Sequence, residues 1–84
     1  MSKRSKLKWQ CRRGMRELDL VLEAFLELHY DQLTPQAQSD FEDLLTQPNQ
    51  ELMDWLVGGV EPKRAPLARI VAQIREVCIA KKRF

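Results

Sequence analysis

Apolar residues recur along this chain at helical spacing, and nowhere do apolar and polar residues alternate long enough for a paired strand. The cleanest period runs near the end, where Leu67, Ile70, Val71, Ile74, Val77 and Cys78 share one helix face. From Met15 to about Tyr30, a second stripe comprises Leu18, Val21, Leu22, Phe25 and Leu28. Asp19, Glu23 and Glu27 form an i, i+4 acidic ridge, expected on the far side of that helix. Thr34-Pro35 reads as a helix start, a capping hydroxyl followed by proline at the first helical position. The helix it opens turns Ala37, Phe41, Leu44 and Leu45 inward and stops near Gln47-Pro48. Asn49 is the expected cap of a short fourth helix carrying Leu52, Met53, Trp55 and Leu56, ended by Gly58-Gly59. An opening helix is expected over Lys6 to Arg13, with Ser5 as cap, Leu7 and Cys11 one turn apart, and Trp9 pointing elsewhere. Gly14 breaks that pattern, and Pro62 and Pro66 frame a polar linker before the last helix.

The pattern predicts an all-α protein: one compact bundle of about five short helices spanning residues 1–84, with a flexible 1–4 and a frayed 81–84. Its 84 residues allow one small domain, and 44% apolar with 31% charged residues is a globular composition. No apolar run is long enough to cross a bilayer, and no secretory segment follows Met1. Two cysteines without a disulfide-dense framework point to free thiols in a reducing compartment.

The net charge of +2 conceals segregation. Residues 1–16 carry seven Lys/Arg and no acid, residues 17–61 eleven Asp/Glu and no base, and residues 62–84 seven bases and only Glu76. The run Lys81-Lys82-Arg83 suits the negative end of the last helix dipole. An acidic midsection opposes a general polyanion binder unless the basic ends converge.

Catalytic constellations are nearly absent. The single histidine, His29, falls at an apolar helix edge, where packing is its ordinary role. Cys11, His29 and Cys78 lack metal-ligand spacing, and no phosphate-cradling glycine motif occurs. The informative segment is Cys11-Arg12-Arg13-Gly14-Met15-Arg16-Glu17. Arg12 and Arg13 offer planar, multi-donor groups to carboxylates or carbonyls, and Gly14 permits a turn or the close approach of a partner backbone. Glu17 lies at the margin of the apolar stripe, beside Val21, Ala24 and Leu28, so it either meets an arginine or faces something other than bulk water. A structural reading stands beside this one: an acid in the first turn serves the helix dipole, and Gly14-Met15 is a simple interhelix turn. A local Arg13–Glu17 pair fits both.

The run Trp9-x-Cys11-Arg12-Arg13-Gly14-Met15-x-Glu17-Leu18-Asp19 resembles the RGxxE segment of the SdhE-type flavinylation factors, assembly factors of succinate dehydrogenase and fumarate reductase. The likeness continues through Phe25, Tyr30, Leu33, Phe41, Leu44-Leu45 and Leu52-x-x-Trp55-Leu56, so it covers most of residues 7–57. This resemblance implies a five-helix bundle that is not an enzyme, but binds the flavoprotein subunit and promotes covalent attachment of FAD to it. It carries a contact motif onto Arg13, Gly14 and Glu17, supported by Arg12, Met15 and Asp19, with Trp9 as a partly exposed neighbour. FAD is expected to belong to the partner, with no cofactor held stably by this chain. A cytoplasmic monomer without membrane insertion or a nucleic-acid partner is expected. Two positions depart from the family pattern: Lys8, where relatives often carry His, and Asn49, where the cap ahead of the Trp helix is acidic, with Glu51 where Asp is common. Two rival functions remain, a nucleic-acid-binding module built on Lys6, Lys8, Trp9 and Arg12, and a toxin-neutralising partner.

Overall fold

The computed structural model describes residues 2–80, with side chains through Val77. Five α-helices follow in order: α1 (Lys3–Cys11), α2 (Arg16–His29), α3 (Pro35–Leu44), α4 (Asn49–Leu56) and α5 (Ala65–Ile74). A 3₁₀ turn, Tyr30–Gln32, extends α2, and a π-helical stretch, Arg75–Ala80, extends α5. No strand occurs among the described residues, so the all-α bundle is as expected. None of their helices is long and apolar enough to cross a membrane.

Most helix boundaries follow local chemistry. Thr34 accepts a hydrogen bond from the Ala37 amide at 3.1 Å, and Pro35 opens α3. At the end of α4 the Val57 and Gly58 amides both reach the Met53 carbonyl at 2.9 Å, and Gly59 at φ 77° lets the chain leave. Three boundaries differ from expectation. Ser2, not Ser5, caps α1 by accepting from the Ser5 amide at 3.2 Å, so the helix takes in Lys3 and Arg4 and ends at Cys11. Pro48, not Asn49, occupies the cap position of α4, leaving the Asn49 side chain for another use. Pro66 lies in the first turn of α5 and belongs to the helix rather than to the linker.

One core joins the helices. Leu7 and Cys11 of α1 meet Leu18, Val21, Leu22, Phe25 and Leu26 of α2, Phe41 and Leu44 of α3, Leu52 and Leu56 of α4, and Leu67, Ile70, Val71 and Ile74 of α5. Phe41 is fully buried, its ring 5.3 Å from Phe25 and 5.8 Å from Tyr30. Trp55 is half-buried against this core, as is Val77, while the side chain of Cys78 and the run Lys81-Lys82-Arg83 lie outside the described part of the chain. One stripe position is corrected: Leu28 is 54% exposed, and Leu26 is buried in its place. At about 100° per residue the two flank the same stripe on opposite sides. Helix α1 covers only the Leu26 side, where Arg4 Nη2 donates to the Leu26 carbonyl at 3.2 Å.

The acidic ridge of α2 is also not a solvated far side. It meets the basic row of α1, with Lys8–Glu27 at 3.9 Å and Arg12–Glu23 at 3.6 Å. Arg4–Asp31 at 2.9 Å and Lys3–Glu42 at 2.9 Å extend the seam to the 3₁₀ turn and to α3. At the other end Arg64 reaches Asp43 at 2.7 Å, Arg69 reaches the buried Asp40 at 3.6 Å, and Arg75 pairs with Glu61. The basic ends of the sequence thus fold onto its acidic middle. Apart from the pair on buried Asp40, exposed pairs of this kind contribute about 0–1 kcal/mol each, so they orient helices more than they hold the core.

Candidate functional site

The segment between α1 and α2 carries the motif, and its backbone is fixed by both neighbouring helices. Arg12 closes α1 in an extended conformation, its amide donating to the Trp9 carbonyl at 3.1 Å. Met15 is extended as well, half-buried against the core, and caps α2 with its backbone alone. Between them Gly14 stands at φ 79°, in the left-handed region that favours glycine. Around Gly14 nothing lies within 4 Å of where a Cβ would sit. This residue is therefore exposed, left-handed and sterically open on its outer side.

Asp19, in the first turn of α2, folds its carboxylate back over this junction. Oδ1 accepts the Arg13 amide at 2.7 Å, and Oδ2 accepts the Gly14 amide at 3.3 Å. Bonds from N–H to an ionised carboxylate are among the stronger ones available to a backbone. On the opposite side Asn49 Nδ2 donates to the Arg13 carbonyl at 3.3 Å. This contact is what Asn49 does in place of capping α4.

The Arg13 side chain turns inward. Its Nη2 donates to the Leu45 carbonyl at the end of α3. The last carbonyls of a helix have no intrahelical partner and carry the negative end of its dipole, so a guanidinium there is doubly favoured. Arg13 Nε is buried without a partner among the described residues. The local Arg13–Glu17 pair considered from spacing is not formed. Glu17 is exposed on the first turn of α2 and makes no ion pair among the described residues, and Arg16 beside it is exposed too.

Trp9 and Arg12 stand on the outer face of α1. Trp9 is 66% exposed and lines a shallow depression of about 240 Å³ with Ser5, Lys8 and Arg12. The fold thus joins Arg13, Gly14, Met15 and Asp19 into one braced corner, and leaves Glu17, Arg16, Arg12 and Trp9 outward around it. Spacing did not reveal Leu45 and Asn49 as parts of this corner.

Two further polar side chains, Cys11 and His29, lie in or against the core, with His29 Nε2 buried without a partner among the described residues. Cys11, directly before the motif, is a free buried thiol, pushed up to about 12 by burial, with Glu23 adding to the effect. His29 is half-buried with its ring 5.5 Å from Phe25, the packing role expected of it. Among the described residues, no group of three or more His, Cys, Asp or Glu is arranged to hold a metal ion.

A family model described as "Flavinator of succinate dehydrogenase" matches residues 5–78. A protein of Coxiella burnetii named "FAD assembly factor SdhE" is 42% identical over 72 residues, covering 86% of this chain and 88% of that one. Proteins of the same name from Legionella pneumophila (strain Lens) and Pectobacterium atrosepticum are 46% and 39% identical over 72 residues, covering 90% and 82% of their lengths. No solved structure matches the chain. The family match includes all of α1–α5 from Ser5 onward, with the braced corner inside it, and the chain belongs to the family of succinate dehydrogenase flavinators.

Proposed function

We propose that this chain is an assembly factor that binds the flavoprotein subunit of succinate dehydrogenase or fumarate reductase and promotes covalent attachment of FAD to it. The observation that carries the reading is the braced Arg13–Gly14 corner, an exposed left-handed glycine held between two helices in a chain of this family. Rigid presentation of such a corner supports docking against one shaped protein surface. Loss of interface freedom before binding lowers the ordering cost that association incurs.

The contribution assigned to the chain is positional. Holding a partner's reacting groups in a productive geometry accelerates bond formation without an acid, base or nucleophile of its own. The bond in question joins a side chain of the partner to the partner's flavin. FAD does not fit this chain as a resident group: Gly14 and Gly59, its left-handed glycines, are isolated and far apart in sequence, not a dinucleotide cradle. Gly14 gives the partner backbone close access, while Glu17, Arg16 and Arg12 supply charge of both signs around it. The pairing of basic ends with the acidic middle favours such a partner over a polyanion. Bacterial relatives and the free Cys11 support a cytoplasmic location.

The deciding experiment incubates purified flavoprotein subunit with FAD, with and without this chain, and resolves the denatured products on a gel. Flavin fluorescence should stay with the subunit band and increase strongly when the chain is present. Equal fluorescence without the chain, or full activity of the Gly14→Arg variant, would overturn the reading.

A further inference from the structure

The arginine of the motif faces away from the surface on which the proposed docking takes place. Its guanidinium is committed to the Leu45 carbonyl, its amide to Asp19 and its carbonyl to Asn49. Gly14 shares the Asp19 carboxylate. Four hydrogen bonds from three separate elements, α2, the end of α3 and the start of α4, thus converge on two consecutive residues. Alternating extended and left-handed conformations at Arg12, Gly14 and Met15 have no regular hydrogen-bond ladder of their own, so these bonds decide where the Gly14 peptide points.

We infer that Arg13, Asp19 and Asn49 are positioning residues that hold the Gly14 backbone in its docking geometry, and that the partner meets Gly14 and Glu17 rather than the Arg13 charge. This rests on the docking reading above and assigns its roles. Asp19 takes two amides that would otherwise swing freely. Asn49 is the member that reaches across from α4: only a side chain with a donor can hold the Arg13 carbonyl, and an ionised carboxylate has none. The brace between the start of α4 and the motif therefore depends on the amide side chain of Asn49.

Two measurements test the assignment. In the free chain, nitrogen-15 NMR follows exchange of the Arg13 and Gly14 amide protons, a readout that needs no partner. Asp19→Asn leaves one carbonyl oxygen for two donors, and at least one of the two amides should exchange faster. Asn49→Ala and Asn49→Asp should loosen the same amides while circular dichroism shows helicity retained, since Asn49 is exposed. Affinity for the purified flavoprotein subunit should fall in each of these variants by about 2- to 12-fold, the range spanned by one net hydrogen bond. Arg13→Gln keeps a neutral N–H donor and discards the charge. It should weaken binding by a similar factor and leave the salt dependence of binding at the wild-type slope, because a charge that never meets the partner contributes nothing to that slope.

A flatter salt dependence in Arg13→Gln would place the guanidinium in the interface and overturn the inference. Wild-type exchange and wild-type affinity in both Asn49 variants and in Asp19→Asn would also overturn it. Failure of the wild-type chain to bind the subunit at all would remove the docking reading and this inference with it. Wild-type binding with unmoved amides in the variants would remove the inference alone.

Discussion

Gly14 separates two demands that are usually confounded, backbone conformation and the space a partner needs. A Cβ at this residue would meet nothing within 4 Å in the free chain, so substitution costs conformation, not packing. An L-residue held in the left-handed region costs about 1–2 kcal/mol, and the stiffer unfolded chain returns about 0.4–1 kcal/mol of that for Gly14→Ala. The net loss is then about 1 kcal/mol, which in a domain of this size lowers the melting temperature by about 4–8 °C. Asn visits the left-handed region more readily than Ala, so Gly14→Asn should melt closer to wild type. Docking should rank the variants differently. If the partner backbone packs against Gly14, each inserted side chain forces that contact apart, at the ~1–3 kcal/mol typical of overpacking, or about 5- to 150-fold in affinity. Thermal melts followed by circular dichroism, paired with titration of the purified flavoprotein subunit, read both quantities. The decisive variant is Gly14→Asn, expected to be nearly as stable as wild type and yet a poor binder. Wild-type affinity in Gly14→Asn would refute the close-approach argument, and an unshifted melt in Gly14→Ala would refute the conformational one.

Other consequences concern the frame that carries the corner. Phe41→Ala removes a fully buried ring that packs at a tilt against Phe25 and Tyr30, and should destabilise the chain by about 3–5 kcal/mol in urea unfolding. Cys11, with its thiol pushed up to about 12, should resist iodoacetamide at about pH 8.5, where an ordinary thiol is half ionised. Peptide mapping should show Cys11 modified only as the protein unfolds; rapid labelling of the native chain would contradict its burial. Burial by itself would raise the pKa of Glu42, but hydrogen bonds from Lys3 and Tyr30 outweigh it and hold the carboxyl below its ordinary value. A depressed folded-state value means the stabilisation is complete above the unfolded pKa of about 4.3 and is lost as pH falls through the folded one. The stability gap between wild type and Glu42→Gln should close over that acid range in a urea series. Tyr30, raised from its ordinary value to about 12 by burial and by Glu42, is the alkaline counterpart: its contribution is complete below about pH 10 and fades as pH rises through 12.

Local chemistry made several elements legible in the sequence. Thr34-Pro35 names the start of α3 because a hydroxyl cap and a proline solve the same problem, the unpaired amides of a first turn. The stripe on α5 is unambiguous because Leu67, Ile70, Val71 and Ile74 repeat at the helical period without a rival register. Periodicity gave the centre of the buried face of α2 but not its edges. Whether Leu26 or Leu28 is covered depends on which side α1 lies, and nothing within α2 encodes that. The cap of α1 was misplaced because Ser2 and Ser5 stand one turn apart, and either hydroxyl satisfies the local rule.

The candidate site divides along the same line. Its location was legible from Arg13-Gly14 and the glutamate one turn on, since a glycine between two helical stretches marks a conformation that other residues resist. The direction of Arg13 was not legible, because the carbonyl that holds it, Leu45, is 32 residues away and becomes available only when α3 ends. Nor did charge segregation carry the meaning that a linear reading gives it. Lys8, Arg12, Arg64 and Arg69 are matched within the fold by Glu27, Glu23, Asp43 and Asp40. Segregation along the sequence thus becomes pairing between helices. The change of sign between Arg16 and Glu17 escapes this cancellation: two adjacent opposite charges, both exposed, on the first turn after a braced glycine. Adjacent opposite charges give little long-range attraction but a directional local field, which selects an orientation more than it raises affinity. Orientation is what a positional role requires, so the specificity of docking should depend on Arg16 and Glu17, while the shape of the corner depends on the hydrogen bonds of Arg13, Asp19 and Asn49.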